Sequence, residues 1–196
     1  TDNSGSVPVV FNSYEMKNNP IGGGAYAFVD LFGFALEGEF DLAAGEYEFD
    51  FGNEYIILDP VSFGWARLSY ATTLKKNVMD ISIPFLAKAA INVGGGFGGH
   101  ISTPRANIDM VKELFGDDLA SFGDDDGNTA EDLKEDLIDY LEKNKIESSG
   151  LHLQTGLRFK VLVLDTHLNA RYNLAKNVYD GKPGFMQLIF KMGFAF

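Results

Sequence analysis

Apolar and polar residues alternate with period two along most of this chain, and that period predicts strands. In the stretch 185–196 (FMQLIFKMGFAF), Leu188, Phe190, Met192, Phe194 and Phe196 share one face, and Gln187, Ile189, Lys191, Gly193 and Ala195 share the other. Residues 151–164 repeat the pattern: Leu151, Leu153, Thr155, Leu157, Phe159, Val161 and Val163 stand against His152, Gln154, Gly156, Arg158, Lys160, Leu162 and Leu164. A turn is predicted at Asp165-Thr166, after which His167, Asn169, Arg171 and Asn173 alternate with Leu168, Ala170, Tyr172 and Leu174. The first half reads the same way. Strands are predicted over 6–14 and 22–31, with a hairpin turn at Phe32-Gly33. Over 34–42, Phe34, Leu36, Gly38, Phe40 and Leu42 oppose Ala35, Glu37, Glu39 and Asp41. A reversal is expected at Ala43-Ala44-Gly45, followed by a strand with Tyr47, Phe49 and Phe51 against Glu46, Glu48 and Asp50. Leu58-Asp59-Pro60 makes another turn. Further strands fall at 62–72 and 78–87, separated by the loop TLKKN, with a bulge or strand end near Pro84. A glycine-rich strand, 89–102, completes the first half. The tally is about ten strands, an even number.

Residues 103–149 break the pattern. Ile108, Val111, Leu114 and Phe115 recur at helical spacing after Pro104, which predicts a short helix over 106–115. Thr129 is placed to cap a second, 129–145, whose Leu133, Leu137, Tyr140 and Leu141 line one face. This segment reads as a helical insertion into a single domain covering 1–196.

No separate apolar layer is available to cover so many half-apolar strands, and lipid is the simplest cover. A carboxy-terminal strand with alternating apolar residues and a final Phe resembles the closing strand and assembly signal of bacterial outer-membrane β-barrels, here Phe190, Met192, Phe194 and Phe196. The block GLRFKVLVLDTHLNARYNLAKNVYDGKPGFMQLIFKMGFAF resembles the last strands of such envelope barrels. The likeness covers most of the chain apart from 103–149. It implies an all-β fold, a closed antiparallel up-and-down transmembrane barrel of about ten strands, in the outer membrane with both termini in the periplasm. Walking back from Phe196 then places KNVYDGKPG, the acidic insertion and TLKKN outside the cell, and the turns at 165–166, 87–88, 58–61 and 32–33 in the periplasm. No catalytic or ligand residue carries over from the likeness.

With the apolar face in lipid, the charged face lies in the lumen. Glu37, Glu39, Asp41, Glu46, Glu48 and Asp50 come from the third and fourth strands, and Arg158, Lys160, Arg171 and Lys191 from the last three. In a ring of about ten strands these groups oppose one another, which predicts a filled or constricted lumen; open aqueous channels belong to barrels nearer sixteen strands. The glycines of 94–99 leave room for whatever fills it.

Charge is unevenly spread. Residues 103–149 hold 14 acidic and 5 basic residues and so carry −9 of the net −12. Nothing resembles a basic stripe, which excludes nucleic acid as a partner class. Cysteine is absent, excluding disulfides and thiolate metal sites. No run of about eighteen apolar residues predicts a transmembrane helix, and residues 1–10 lack the basic and apolar regions of a signal peptide.

Candidate chemistry is sparse. Of His100, His152 and His167, the last two could approach each other, and an acid-base or metal role would need Asp165 as well; polar lumen residues are the preferred reading. No serine stands in a nucleophile context, and no enzyme activity or cofactor is expected. Asp124, Asp126, Asn128, Asp132 and Glu135 fall at positions 1, 3, 5, 9 and 12 of a calcium-loop register, but Thr129 replaces the glycine at position 6 and a solvated acidic loop is preferred. GGGFGG lacks the helix and Lys of a phosphate cradle. The functional expectation is a structural or interaction protein of the outer membrane that contacts lipid and lipopolysaccharide and presents 103–149 to a protein partner. A narrow solute channel and a soluble lipocalin-like binding barrel are the alternatives, and the oligomeric state stays open.

Overall fold

The computed structural model describes residues 10–52, 59–84, 86–115, 130–179 and 181–195. Among them are eight strands and two helices: β1 (Val10–Met16), β2 (Ile21–Leu31), β3 (Phe34–Gly52), β4 (Val61–Ile83), β5 (Ala87–Ser102), α1 (Ile108–Phe115), α2 (Ala130–Lys143), β6 (Ile146–Val161), β7 (Leu164–Asn173) and β8 (Phe185–Phe194). The strands form one antiparallel up-and-down sheet in the order β1-β3-β4-β5-β6-β7-β8, with β2 also on β3. Among the described residues the sheet is not closed.

Four expected turns lie elsewhere or do not exist; one of them, at Ala87-Lys88, is replaced by a turn before Ala87, since both residues belong to β5. β3 runs straight through Ala43-Ala44-Gly45. Small residues there signal a reversal only if the alternation stops, and it continues: the face holding Glu37 goes on to Ala43, Tyr47 and Phe49, all buried. That parity puts Glu46 and Glu48 on the opposite face. β4 likewise runs through TLKKN to end at Ile83, just before Pro84. Two adjacent lysines suggest a loop because ammonium groups seek water, but Lys75 is buried on Glu37 and Lys76 sits over the Phe34 ring. The β6–β7 hairpin turns at Leu162-Val163 instead of Asp165-Thr166, which leaves Asp165 on β7 where Arg158 reaches it. Because β3 and β4 each run through an expected reversal, the described residues form eight strands where about ten are expected.

The contacts divide into two compact units, to each of which β3 and β4 contribute a segment. The larger comprises Gly23–Leu42, Leu68–Ile101 and Ile146–Phe196. Its burial is inverted relative to a protein with an apolar core. Phe159, Phe190 and Phe194 are 50%, 64% and 71% exposed, while Arg158, Asp165, His167, Asn169, Arg171 and Lys191 are buried. The β6, β7 and β8 registers align these inner residues in cross-strand rows: Gln154 beside Arg171 beside Gln187, then Arg158 beside His167 beside Lys191.

The smaller unit comprises Thr1–Gly22, Ala43–Arg67 and Ser102–Lys145. It buries aromatic and apolar residues, Tyr47, Phe49, Trp65, Ala106, Met110, Val111 and Tyr140 among them, together with Asp50, Arg67 and Ser102. Phe49 stacks on Phe11 with centroids 5.4 Å apart and meets Phe63 edge-on at 6.0 Å. Asn107 caps α1, its Oδ1 accepting the Met110 amide at 2.8 Å and so satisfying an otherwise orphaned donor. The Tyr140 hydroxyl donates to the same Oδ1 at 3.2 Å, tying α2 to the α1 cap. The Tyr47 hydroxyl accepts the Ala106 amide, and Arg105 lies 4.9 Å over the Tyr47 ring, which fixes the chain as it enters α1.

Candidate functional site: a buried charge network

The inner face of the larger unit is built by strand parity. Every second residue of β3, β4, β6, β7 and β8 turns inward within this unit, and several of those positions carry ionisable groups among neutral polar ones. Glu37, fully buried, receives Lys75 Nζ at 2.6 Å and Lys191 Nζ at 2.7 Å on its two oxygens. Glu39 bonds Lys191 and Arg171. Arg171 also donates to Gln154 Oε1, from Nε at 2.8 Å and from a terminal nitrogen at 2.5 Å. One cluster thus joins β3 to β4, β7 and β8.

A second cluster surrounds Arg158. Its Nε and one terminal nitrogen grip Asp165 at 2.5–3.0 Å, the forked geometry that favours arginine over lysine, and the other terminal nitrogen reaches Asp30 at 2.9 Å. Phe28 lies 4.9 Å beneath the guanidinium, and Lys191 stands 5.3 Å over Tyr26. Taking such groups out of water is costly, and only close pairing within the unit offsets it.

Of the ten charges expected in one network, six take part in these clusters or stand in register with them: Glu37, Glu39, Arg158, Arg171 and Lys191 by contact, and half-buried Lys160 opposite Asp165. Asp41 is half-buried on the same face of β3. The others belong to the smaller unit. Glu46 is exposed, and Glu48 pairs with Lys17 at 2.7 Å, each more than a third exposed. That pairing holds the Lys17 ammonium above the ordinary lysine value. Asp50 is buried, but against β1, accepting Asn12 Nδ2 at 2.7 Å and the Tyr14 hydroxyl. Lys75, Asp165 and Asp30 join the network although the sequence pattern does not single them out. Counting parity onward from Trp65 and Arg67 reaches Lys75, and counting back from His167 reaches Asp165.

The histidines separate. His152 Nε2 meets Thr73 Oγ1 at 2.9 Å, His100 Nδ1 meets Ser69 Oγ at 2.9 Å, and His167 Nε2 lies 3.4 Å from Asp165. His152 and His167 occupy rows three steps apart, opposite Asn173 and Arg158. No group of three or more His, Cys, Asp or Glu side chains among the described residues is placed to hold a metal ion. Asp124, Asp126 and Asn128 of the calcium register lie outside the described residues, and Asp132 and Glu135 fall in α2. Of the assembly-signal residues, Phe190, Met192 and Phe194 project outward from β8 and Phe196 lies outside the described residues.

The inner face keeps hydrogen-bonding capacity in reserve. Both ring nitrogens of His167, both amide atoms of Asn169, Gln154 Nε2 and His152 Nδ1 are buried with no hydrogen-bond partner among the described residues. Chemically, the arrangement can hold a wall together and present polar atoms inside it. In comparisons with family models, with curated proteins and with solved structures, nothing matches this chain.

Proposed function

We propose that this chain is an integral outer-membrane β-barrel protein without enzymatic activity, whose sheet closes around the charge network and whose acidic segment 103–149 faces a partner outside the cell. The observation that carries this is the inverted burial of the larger unit, with Leu, Phe and Met side chains outward and paired ions inward. Ion pairs from Glu37 and Glu39 on β3 to Lys191 and Arg171, which lie at the far end of the strand order, support curling of the sheet toward closure. A hydrocarbon phase is the environment in which an exposed apolar band lowers the free energy, and strands need no apolar helix to cross it. Within the larger unit the ion pairs occupy the interior, so a wide diffusion pore is not expected. The role is then structural or adhesive. The test is extraction of outer membranes with detergent followed by electrophoresis with and without boiling. Heat-modifiable migration is expected, and recovery of the chain solely from the soluble fraction would sink the proposal.

A further inference from the structure

Hairpin tips of the larger unit carry side chains that a turn in water avoids. β2 passes into β3 through Phe32 and Gly33 at φ +52° and +83°, the two left-handed positions of a type I′ turn, where Asn-Gly is the undemanding pair. Phe32 holds that backbone with its ring wholly exposed. The β6–β7 hairpin does the same with Leu162, at φ +55° and 60% exposed, where glycine would be expected. The Leu162 amide donates to the Leu86 carbonyl at 2.8 Å, so a third exposed apolar tip stands beside it. Left-handed backbone at a bulky residue and a large apolar side chain in water are both unfavourable, and here they coincide twice.

Beside Phe32 lies a hollow of about 170 Å³. Phe32 and Phe34 form its apolar side; Asn77 and Lys88 form its polar side, and Asp30 in its wall is engaged by Arg158. Lys76 holds its ammonium 5.4 Å over the Phe34 ring. Two ammonium groups and an amide next to aromatic and aliphatic tips are the donor set for a phosphodiester with acyl chains attached. In a chain of net charge −12, such a pairing of lysines with exposed apolar tips selects for an anionic amphiphile.

We infer that this turn end binds anionic phospholipid, with Phe32 and Leu162 entering the acyl region and Lys76 and Lys88 meeting the phosphate. The inference rests on the membrane reading above, and it assigns the turn end to a phospholipid leaflet in place of open water.

The chain has no cysteine, so Phe32→Cys carrying a nitroxide reports depth directly. The labelled protein is refolded into vesicles of phosphatidylcholine with and without phosphatidylglycerol. Oxygen should relax the label more effectively than a water-soluble nickel complex does, and more so with phosphatidylglycerol present. Phe32→Trp in a Trp65→Phe background gives a second reading, through quenching by brominated phosphatidylglycerol against brominated phosphatidylcholine. Replacing Lys76 or Lys88 by Gln should lower that preference about fivefold each. A protein that inserts, shows heat-modifiable migration and yet exposes position 32 to nickel overturns this inference alone. A protein that never inserts overturns the membrane reading as well.

Discussion

Lys191 Nζ lies 2.7 Å from Glu37 Oε1, although the two residues are 154 positions apart and their strands, β8 and β3, are separated by four others in the pairing order. The sheet of the larger unit therefore brings its own inner face together, and Glu37 is the hinge of that contact because Lys75 holds its other oxygen. Glu37→Ala would leave Lys75 buried without a carboxylate, and the unfolding free energy should fall by about 3–5 kcal/mol. Changing Glu37 and Lys75 together to Met removes both charges and should restore most of the loss. Urea titration in detergent micelles, followed by tryptophan fluorescence, measures both variants. Equal destabilisation by the single and the double change would show that the ion pair is not what Glu37 supplies.

Gly96 makes the space in which His152 lies. A Cβ there would collide first with the Thr72 backbone carbonyl and would stand 2.9 Å from His152 Cε1. Gly96→Ala should displace the imidazole, break its 2.9 Å contact with Thr73 and cost about 1–3 kcal/mol, whereas Gly38→Ala, with open space around its Cβ, should stay within about 0.5 kcal/mol of the parent. The same urea titration separates them. If both variants lose equally, crowding by the added Cβ against Thr72 and His152 is not the cause.

How much of this was legible in the sequence follows from what alternation can and cannot encode. Period two assigns a face to each residue within a strand, and on that basis Glu37, Glu39, Arg158, Arg171 and Lys191 were placed inward from the residues alone. It says nothing of where one strand ends if the next residues keep the period. Ala43-Ala44-Gly45 and TLKKN have the composition of reversals, and a reversal there shifts the parity that follows: it turns Glu46 and Glu48 inward and leaves Lys75 in a loop, whereas the strands run on. The turn at Leu162-Val163 was hidden for the opposite reason. Two apolar residues at a tip carry no turn signal, and Asp165, the better turn former, draws the predicted turn away from the strand position that meets Arg158. The helices are easier, since the apolar spacing of 108–115 follows ordinary periodicity; the Asn107 cap is not read from the sequence, and Thr129 lies outside the described residues.

Tyr140 gives the helical segment a pH dependence of definite sign. Its phenol is pushed above the ordinary value of 10.0, chiefly by burial, with Asp109 and Glu113 adding to the rise and the Asn107 hydrogen bond and Lys143 opposing it. The unfolded phenol ionises near 10 while the folded one resists, so the stabilisation is complete below that pH. It is lost as pH rises through the folded-state value. Helical circular dichroism should therefore decline more steeply above roughly pH 10 in the parent than in Tyr140→Phe. At neutral pH the variant should lose only the hydrogen bond to Asn107, about 0.5–1.5 kcal/mol. Superimposable alkaline profiles would remove Tyr140 as the titrating group.

Phe32 and Gly33 set backbone preference against surroundings, and one substitution can tell which governs. Asn tolerates the left-handed conformation at far lower cost than Phe, and Asn-Gly is the favoured pair for a type I′ turn. If the tip met only water, Phe32→Asn would improve both the backbone and the exposed surface, and the gain would be about 1 kcal/mol in any medium. With the ring seated in lipid the two effects oppose: the backbone gain remains, and the burial of an aromatic side chain, about 1.5–3 kcal/mol when complete, is lost. Phe32→Asn should thus stabilise the chain in short-chain detergent and destabilise it in vesicles containing phosphatidylglycerol. Unfolding midpoints in urea, taken in the two media on the same preparation, decide the matter. A gain of equal size in both would place Phe32 in water.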